Sequence, residues 1–482
     1  KLWTSHNFDK KQEDAFLKNY QKYIPAWAHM VRARKLMDRG KTADLQRMMR
    51  FLNSDQKKLY FIRQQIARAD KSIIHLRRSV PKSMLTDPGY LMQILEWYHK
   101  RNHTDLAEVI LLEYKPIAEY QTEWENIRRI QSREVMKLRR YRAAHDIAHR
   151  HSYSSGEHAA DMEWFSGWIA LEYLNNPKLA LKHFNTVHKI VATNLSLSRV
   201  YYWLGRTYTK LKNKKQADYY YKHASQFGWT FYGQLAASEL RIKPNLTPLK
   251  TQAIPADLTP LFQAAHLMAA VGEKKLARKL LQQGDARLKT AGQHLTLSYF
   301  AKKLGVVENI VRFARNAQNK APGIALEAYP RLGKVFQSKA VKQGLDPALV
   351  HAIILQESRF DEGVLSFDAG HGYMQLMKPT AKRMAKRANV TYNPRRLLQG
   401  DYNILLGTTY LQFLLKMFDG YFPFAIPSYN AGEDRVQKWL EEFGNPAKQN
   451  VDIINWAESL TFVVTRSYIQ RILENIYVYR HV

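Results

Sequence analysis

The sequence predicts a mainly all-α protein in three parts: an N-terminal α-solenoid over residues 1–243, a helical linker domain over 244–322 and an α-rich C-terminal domain over 323–482. Three observations carry this prediction. Apolar residues recur at helical spacing from residue 10 to about 320, and strand-like alternation is scarce. Two segments in that stretch are alike: WIALEYLNNPKLALKHF (168–184) and WLGRTYTKLKNKKQADYYY (203–221). Glycine, rare in the first two hundred residues, becomes frequent with other turn signals in the last ~155.

The solenoid rests on the repeat. Trp168 aligns with Trp203 and Tyr173 with Tyr208, each 35 residues apart; Ala180 aligns with Ala217 and Phe184 with Tyr221, each 37 apart. This spacing resembles the tetratricopeptide class, in which each helix pair buries its apolar face on the next. HLMAAVGEKKLARKLL (266–281) reads as a third, poorer copy. The breakers NNP (175–177) and KNK (212–214) fall where hairpin turns are needed. PNLTPLKTQAIPADLTP (244–260) holds four of the 17 prolines and reads as a boundary, and NKAPG (319–323) marks a second one.

Composition narrows the function. The 482 residues are 45% hydrophobic, enough for large cores, and two or three domains are expected. There is no cysteine, which excludes disulfides and thiolate metal sites. The net charge of +32 points to an anionic partner or surface. No nucleic-acid motif is evident, and charge alone does not make one. No apolar run approaches the ~20 residues of a membrane span. The chain starts at Lys1, as it would after removal of a leader. His145 and His149 stand at i,i+4, but no third ligand is evident in the sequence nearby, so no metal is expected.

The chemistry is expected in the turn-rich C-terminal part. In DPALVHAIILQESRFDEG (346–363), Asp346 suits an N-cap and Pro347 the first helical position. The helix is expected to run to about Arg359. Leu349, Ile353 and Glu357 are four apart, so a carboxylate sits on the apolar side near the helix end. Desolvation and the negative end of the helix dipole both raise its pKa, which suits a general acid. SFDAGHGYMQLMKPTAKRMA (366–385) predicts a tight glycine loop, with Tyr373, Met374 and Gln375 leading into a helix. IPSYNAGEDRVQKWL (426–440) predicts a turn after Pro427 followed by a helix.

Taken together, these segments resemble the soluble lytic transglycosylases, whose catalytic domain is lysozyme-like. Glu357-Ser358 matches that family's E-S pair, Gly372-Tyr373-Met374-Gln375 its G-L-M-Q, and Ser428-Tyr429-Asn430-Ala431-Gly432 its A-Y-N-A-G. Glu458-Ser459-Leu460-Thr461-Phe462, then Thr465-Arg466 and Tyr468, match its last segment loosely. GWIAL…P..AL.HF (167–184) and FYGQLAA (231–237) resemble its superhelical region, so the likeness covers most of residues 140–482. The departures are Tyr373 for leucine, His371 for serine, Lys378 before a proline one place late, Ser428 for alanine, Thr461 for proline and Val464 for a second glutamate.

The resemblance implies an enzyme that cleaves the MurNAc–GlcNAc β-1,4 bond of peptidoglycan without water, leaving 1,6-anhydro-MurNAc ends. Glu357 is then the single acid and base, and no cofactor is implied. By the same resemblance Ser358 orients the site backbone, and Ser366 hydrogen-bonds the N-acetyl group or the catalytic region. Gly372 and Tyr373 belong to the groove floor. Met374 offers an apolar contact to a sugar and Gln375 an amide. Tyr429 bonds Glu357 or substrate, Asn430 holds the turn or a sugar, and Glu458 tunes Glu357. Glycan strands are the implied partner, other cell-wall enzymes are candidate partners, and a periplasmic monomer is expected. Two other readings stay open: a lysozyme-type hydrolase with Asp361, Glu362 or Asp368 as second carboxylate, and a non-catalytic helical-repeat scaffold.

Overall fold

The computed structural model describes residues 1–482 except 70, 71, 116, 334, 335, 337–339, 341, 342, 367 and 368, and describes 307 and 308 by backbone alone. The fold is all-α; among the described residues there are isolated β-bridges and no strand. The chain divides into two compact units, Lys1–Ser154 and Ser155–Val482.

The first unit is a run of short helices joined as hairpins: Ala26–Asp38 with Thr42–Met48, Pro88–Lys100 with Thr104–Glu113, and Gln121–Lys137 with Tyr141–His149. Asp9 and Asn53 close capping boxes with Gln12 and Gln56, which satisfies the first amides of two helices. Its core holds Trp3, Leu45, Met48 and Tyr60. Arginines enter with partners, Arg32 on Glu13 at 3.1 Å and Arg63 on Asp38 at 2.8 Å, as buried charge requires.

The second unit opens with the segment in which the repeat was read. Gly156–Glu172 pairs with Pro177–Ile190, and Asn194–Lys210 with Lys214–Ser225. Each link turns through one left-handed residue, Asn175 at φ +47° and Lys212 at φ +58°. The helices cross where a glycine meets an aromatic ring. A Cβ on Gly167 would lie 2.9 Å from the Phe184 ring, and one on Gly205 would lie 2.5 Å from the Tyr221 ring. This contact corrects the repeat register. Gly167 and Gly205 are the equivalent positions, so the counterpart of Trp203 is Phe165, about one helical turn before Trp168. Tryptophan is the more conspicuous residue of each copy, but the absence of a side chain at the glycine is what permits the close crossing.

Two further hairpins follow, Thr259–Ala270 with Lys274–Asp285 and Ala291–Lys303 with Val307–Gln318. The first of them repeats the device: a Cβ on Gly284 would lie 2.3 Å from the Phe262 ring. The proline-rich stretch before them runs without helix as far as Pro255, turns through the short 3₁₀ helix Ala256–Leu258, and is tied at Leu249 N to Ile324 O, 2.8 Å. From Pro347 on, the helices Pro347–Glu357, Lys378–Arg387, Gly400–Met417, Phe422–Ala431, Glu433–Phe443, Ile453–Ser459 and Val463–His481 enclose one large core. The repeat helices are bonded to it. Trp168 Nε1 donates to Asn455 at 2.9 Å, Arg206 pairs with Asp452 at 3.2 Å, and Phe231 N donates to Glu474 at 2.9 Å.

Candidate active site

The Pro347–Glu357 helix differs from the amphipathic one expected. Asp346 caps it, accepting from Ala348 N at 2.8 Å. Every residue from Ala348 to Leu355 is buried, so the helix has no solvated face. It lies against the Val463–His481 helix, inside the core. His351 fits there because both ring nitrogens are bonded, one accepting from Leu332 N at 3.0 Å and the other donating to Pro347 O at 2.7 Å. The helix ends at Glu357, two residues before the expected end. Arg359 and Phe360 are both left-handed, at φ +54° and +64°, and break the ladder.

Glu357 is therefore the point where a buried helix reaches the surface. Part of its side chain stays open while protein surrounds the rest. Tyr468 Oη donates to Oε1 at 2.6 Å. Burial pushes the carboxyl up to about 7, against the opposing pull of the Tyr468 bond. Its place at the helix C-terminus acts in the direction of burial. Tyr468 and Tyr429 are in turn pushed well up, by burial first and then by the charge of Glu357.

The glycine loop forms the wall beside it. Residues 365, 371 and 376 are bridged, making a tight reversal rather than the helix entry expected at 373–375. The next helix starts only at Lys378, with Pro379 in its first turn. Ser366 Oγ accepts from Gly370 N at 2.8 Å and so holds the loop closed. Gly372 has φ +69°, and a Cβ there would meet Leu397 O at 2.6 Å, so both conformation and space demand glycine. Gln375 is also left-handed, at φ +45°, and its amide donates to Gly372 O at 2.7 Å and Val364 O at 3.2 Å. The Tyr373 ring lies against Gly400, and Asp361 and Glu362 add to burial in pushing its phenol up.

Met374 lies beneath the site. It is fully buried, and its sulfur fills the space left by Gly407. A sugar contact is thus not open to its side chain; Met377, three residues on, is the exposed methionine of the segment. Met374 acts through its backbone. Its N–H donates to Asn403 Oδ1 at 2.8 Å, and its carbonyl accepts from Tyr429 Oη at 2.9 Å.

The YNAG string is the last turn of the Phe422–Ala431 helix, with Pro427 inside that helix, and not the turn expected. Gly432, at φ +86°, joins it to the next helix. Asn430 Oδ1 accepts from Thr465 Oγ1 at 2.8 Å, which ties this helix to the one bearing Tyr468. Ser358 Oγ donates back to Ile354 O at 3.1 Å. Glu458 is buried with Arg199 at 3.3 Å and Gln470 at 2.8 Å, and also takes the Tyr232 hydroxyl. It belongs to the polar seam between the C-terminal and repeat helices. Among the described residues, neither Glu458 nor any other carboxylate is a cause of the Glu357 shift.

Sequence reasoning undervalued Tyr468, although its Thr-Arg-x-Tyr signal had been matched. It missed Asn403, which has no local signature. That side chain is fully buried and bonds three backbone groups, Met374 N, His371 O at 2.7 Å and Leu397 O at 2.8 Å. It also missed Tyr410, whose hydroxyl donates to Glu433 at 2.8 Å and whose ring lies 5.2 Å from that of Tyr429.

Fold and site together define an all-α protein in which a partly buried glutamate, raised in pKa, stands at the end of a core helix. Residues 334–451 match the family described as the transglycosylase SLT domain. The soluble lytic murein transglycosylase of Salmonella typhimurium strain LT2 is 37% identical over 132 residues, 27% of this chain and 20% of that protein. The matched stretch thus spans about a fifth of that relative's length. Among solved structures, an inactive Glu-to-Gln mutant of the lytic transglycosylase Slt from Pseudomonas aeruginosa aligns with a TM-score of 0.70 at 20% identity, over 99% of this chain and 76% of that one. The 70-kDa soluble lytic transglycosylase in complex with bulgecin A aligns with a TM-score of 0.63 at 18% identity, over 100% and 76%. Residues 334–451 are thus similar to the transglycosylase SLT domain, and the chain has the fold of these lytic transglycosylase structures.

Proposed function

We propose that this protein is a peptidoglycan lytic transglycosylase acting through Glu357 alone. The protonated carboxyl gives its proton to the glycosidic oxygen as the C1–O bond of MurNAc breaks. The carboxylate then takes the proton of the C6 hydroxyl, whose oxygen closes on C1. The product is a 1,6-anhydro ring, and no water is consumed. The substrate's N-acetyl group stabilises the cationic stage. One group serves as acid and then base only if its pKa lies near the working pH.

The observation that carries this reading is Glu357 itself: half-open, raised to about 7, and held by a neutral tyrosine rather than a cation. Two candidates for a hydrolase's second carboxylate are otherwise engaged. Asp361 accepts from Gly363 N at 3.0 Å, and Glu362 caps the Gly400–Met417 helix at Gly400 N. Asp368 lies outside the described residues. In this reading Ser366, Gly372, Tyr373 and Gln375 shape the groove, and Ser358, Met374, Tyr429 and Asn430 hold it. Residues 1–243 and 244–322 restrain the glycan strand that residues 323–482 cut. The protein works in the periplasm as a monomer, and its +32 charge favours a polymer whose peptide stems carry carboxylates.

The test is digestion of purified sacculi by the protein and by Glu357→Gln, with the products weighed. Products lighter by one water than hydrolytic ones, lost in the variant, are expected. Reducing-end products overturn the reading in favour of a hydrolase.

A further inference from the structure

The Gly400–Met417 helix has two working faces. Gly407, Tyr410 and Leu414 face Met374, Tyr429 and the core. Leu405, Thr409, Gln412 and Lys416 recur at i, i+4, i+7 and i+11, so they line the opposite face. There they border a pocket of about 810 Å³, shared with Phe413 and with Arg387 from the neighbouring helix. It lies across the helix from Glu357, and the mechanism does not use it.

The lining has a definite chemistry. Its charged groups, Arg387 and Lys416, are both cations, and neither forms an ion pair among the described residues. The Arg387 guanidinium lies over the Phe413 ring, 4.5 Å from its centroid, which holds the group in place while leaving its N–H edge available. The nearby Arg383 is by contrast paired with Glu433 at 2.7 Å. Thr409 Oγ1 donates to Leu405 O at 2.7 Å, and the Gln412 amide spends one of its two N–H groups on Gln343 O. Each keeps an acceptor oxygen for a ligand, and Leu405 and Phe413 add apolar wall.

Two cations, two acceptors and an apolar wall ask for a ligand with carboxylates, N–H donors and an aliphatic group. Inorganic phosphate would fill only a small part of the roughly 810 Å³ and leave the acceptor oxygens and the apolar wall without partners. We propose that this pocket binds a short acidic peptide, its carboxylates on Arg387 and Lys416 and its amides on Thr409 and Gln412. The inference stands on the pocket and does not depend on the transglycosylase reading.

The test is calorimetric titration of the full chain with acetyl-Glu-Ala-Glu, beside the neutral acetyl-Gln-Ala-Gln-amide and inorganic phosphate. Binding of the acidic peptide is expected to weaken with salt and to fall about tenfold in Arg387→Gln/Lys416→Gln. Both side chains are exposed, so the variant keeps its fold, which its melting curve checks. Thr409→Val is expected to weaken the peptide with both cations intact. Equal affinity for the neutral peptide, binding unchanged in the double variant, or displacement by equimolar phosphate each overturns the proposal.

Discussion

Tyr468 donates to Glu357 Oε1 at 2.6 Å across 111 residues of sequence. The bond joins the end of the buried Pro347–Glu357 helix to the first turns of the last helix. Among the described residues it is the one hydrogen bond that pulls the Glu357 pKa down against burial. It also leaves the second carboxyl oxygen for proton transfer.

Tyr468→Phe removes that pull. Hydrogen bonds to a charged group contribute ~1.5–3 kcal/mol, or about one to two pH units. The alkaline limb of the pH–rate profile, where the acid loses its proton, is expected to move up by that amount, with a lower maximal rate. An unchanged limb with a lower rate would reduce Tyr468 to packing.

Glu357 also makes stability depend on pH. Its folded pKa, about 7, lies above the ordinary value of 4.5. The folded chain therefore holds a proton that the unfolded chain releases. That contribution is full below pH 4.5 and is lost as pH rises through 7. Glu357→Gln lacks the loss. Its stability relative to wild type is expected to increase between pH 4 and pH 8, by at most on the order of 3 kcal/mol. Denaturant midpoints at the two pH values measure it, and parallel behaviour would mean the pKa is ordinary.

Gly407→Ala places a Cβ 2.3 Å from the Met374 sulfur in a filled core. Overpacking costs about 1–3 kcal/mol, offset in part by alanine's better helix propensity. Met374 carries the Tyr429 bond, so activity per folded molecule is expected to fall as well. Gly205→Ala crowds the Tyr221 ring instead and is expected to lower the melting temperature while leaving the pH–rate profile in place.

Asn403→Ala strands Met374 N, His371 O and Leu397 O in the interior. A loss of roughly 2–5 kcal/mol is expected. Hydrogen exchange should rise first at residues 371–376, ahead of global unfolding. Uniform exchange would place the effect elsewhere.

The sequence by itself determined the helical class, the hairpin breakers at 175–177 and 212–214, and the motif-bearing C-terminal segments, because these are local properties. Periodicity, capping at Asp346 and glycine spacing act within a few residues. It also singled out Glu357, by the oddity of a carboxylate among Leu349, Ile353 and Ile354. Tertiary structure decided the rest. Only packing shows that the Pro347–Glu357 helix is buried all round, which makes Glu357 an emergence point and not the rim of a stripe. Only packing turns Met374 inward onto Gly407 and makes Gly167 and Gly205 the equivalent repeat positions. Only a contact across 111 residues gives Glu357 its tyrosine. Burial and hydrogen-bond partnership depend on what lies opposite in space, and spacing along one helix does not encode its neighbour.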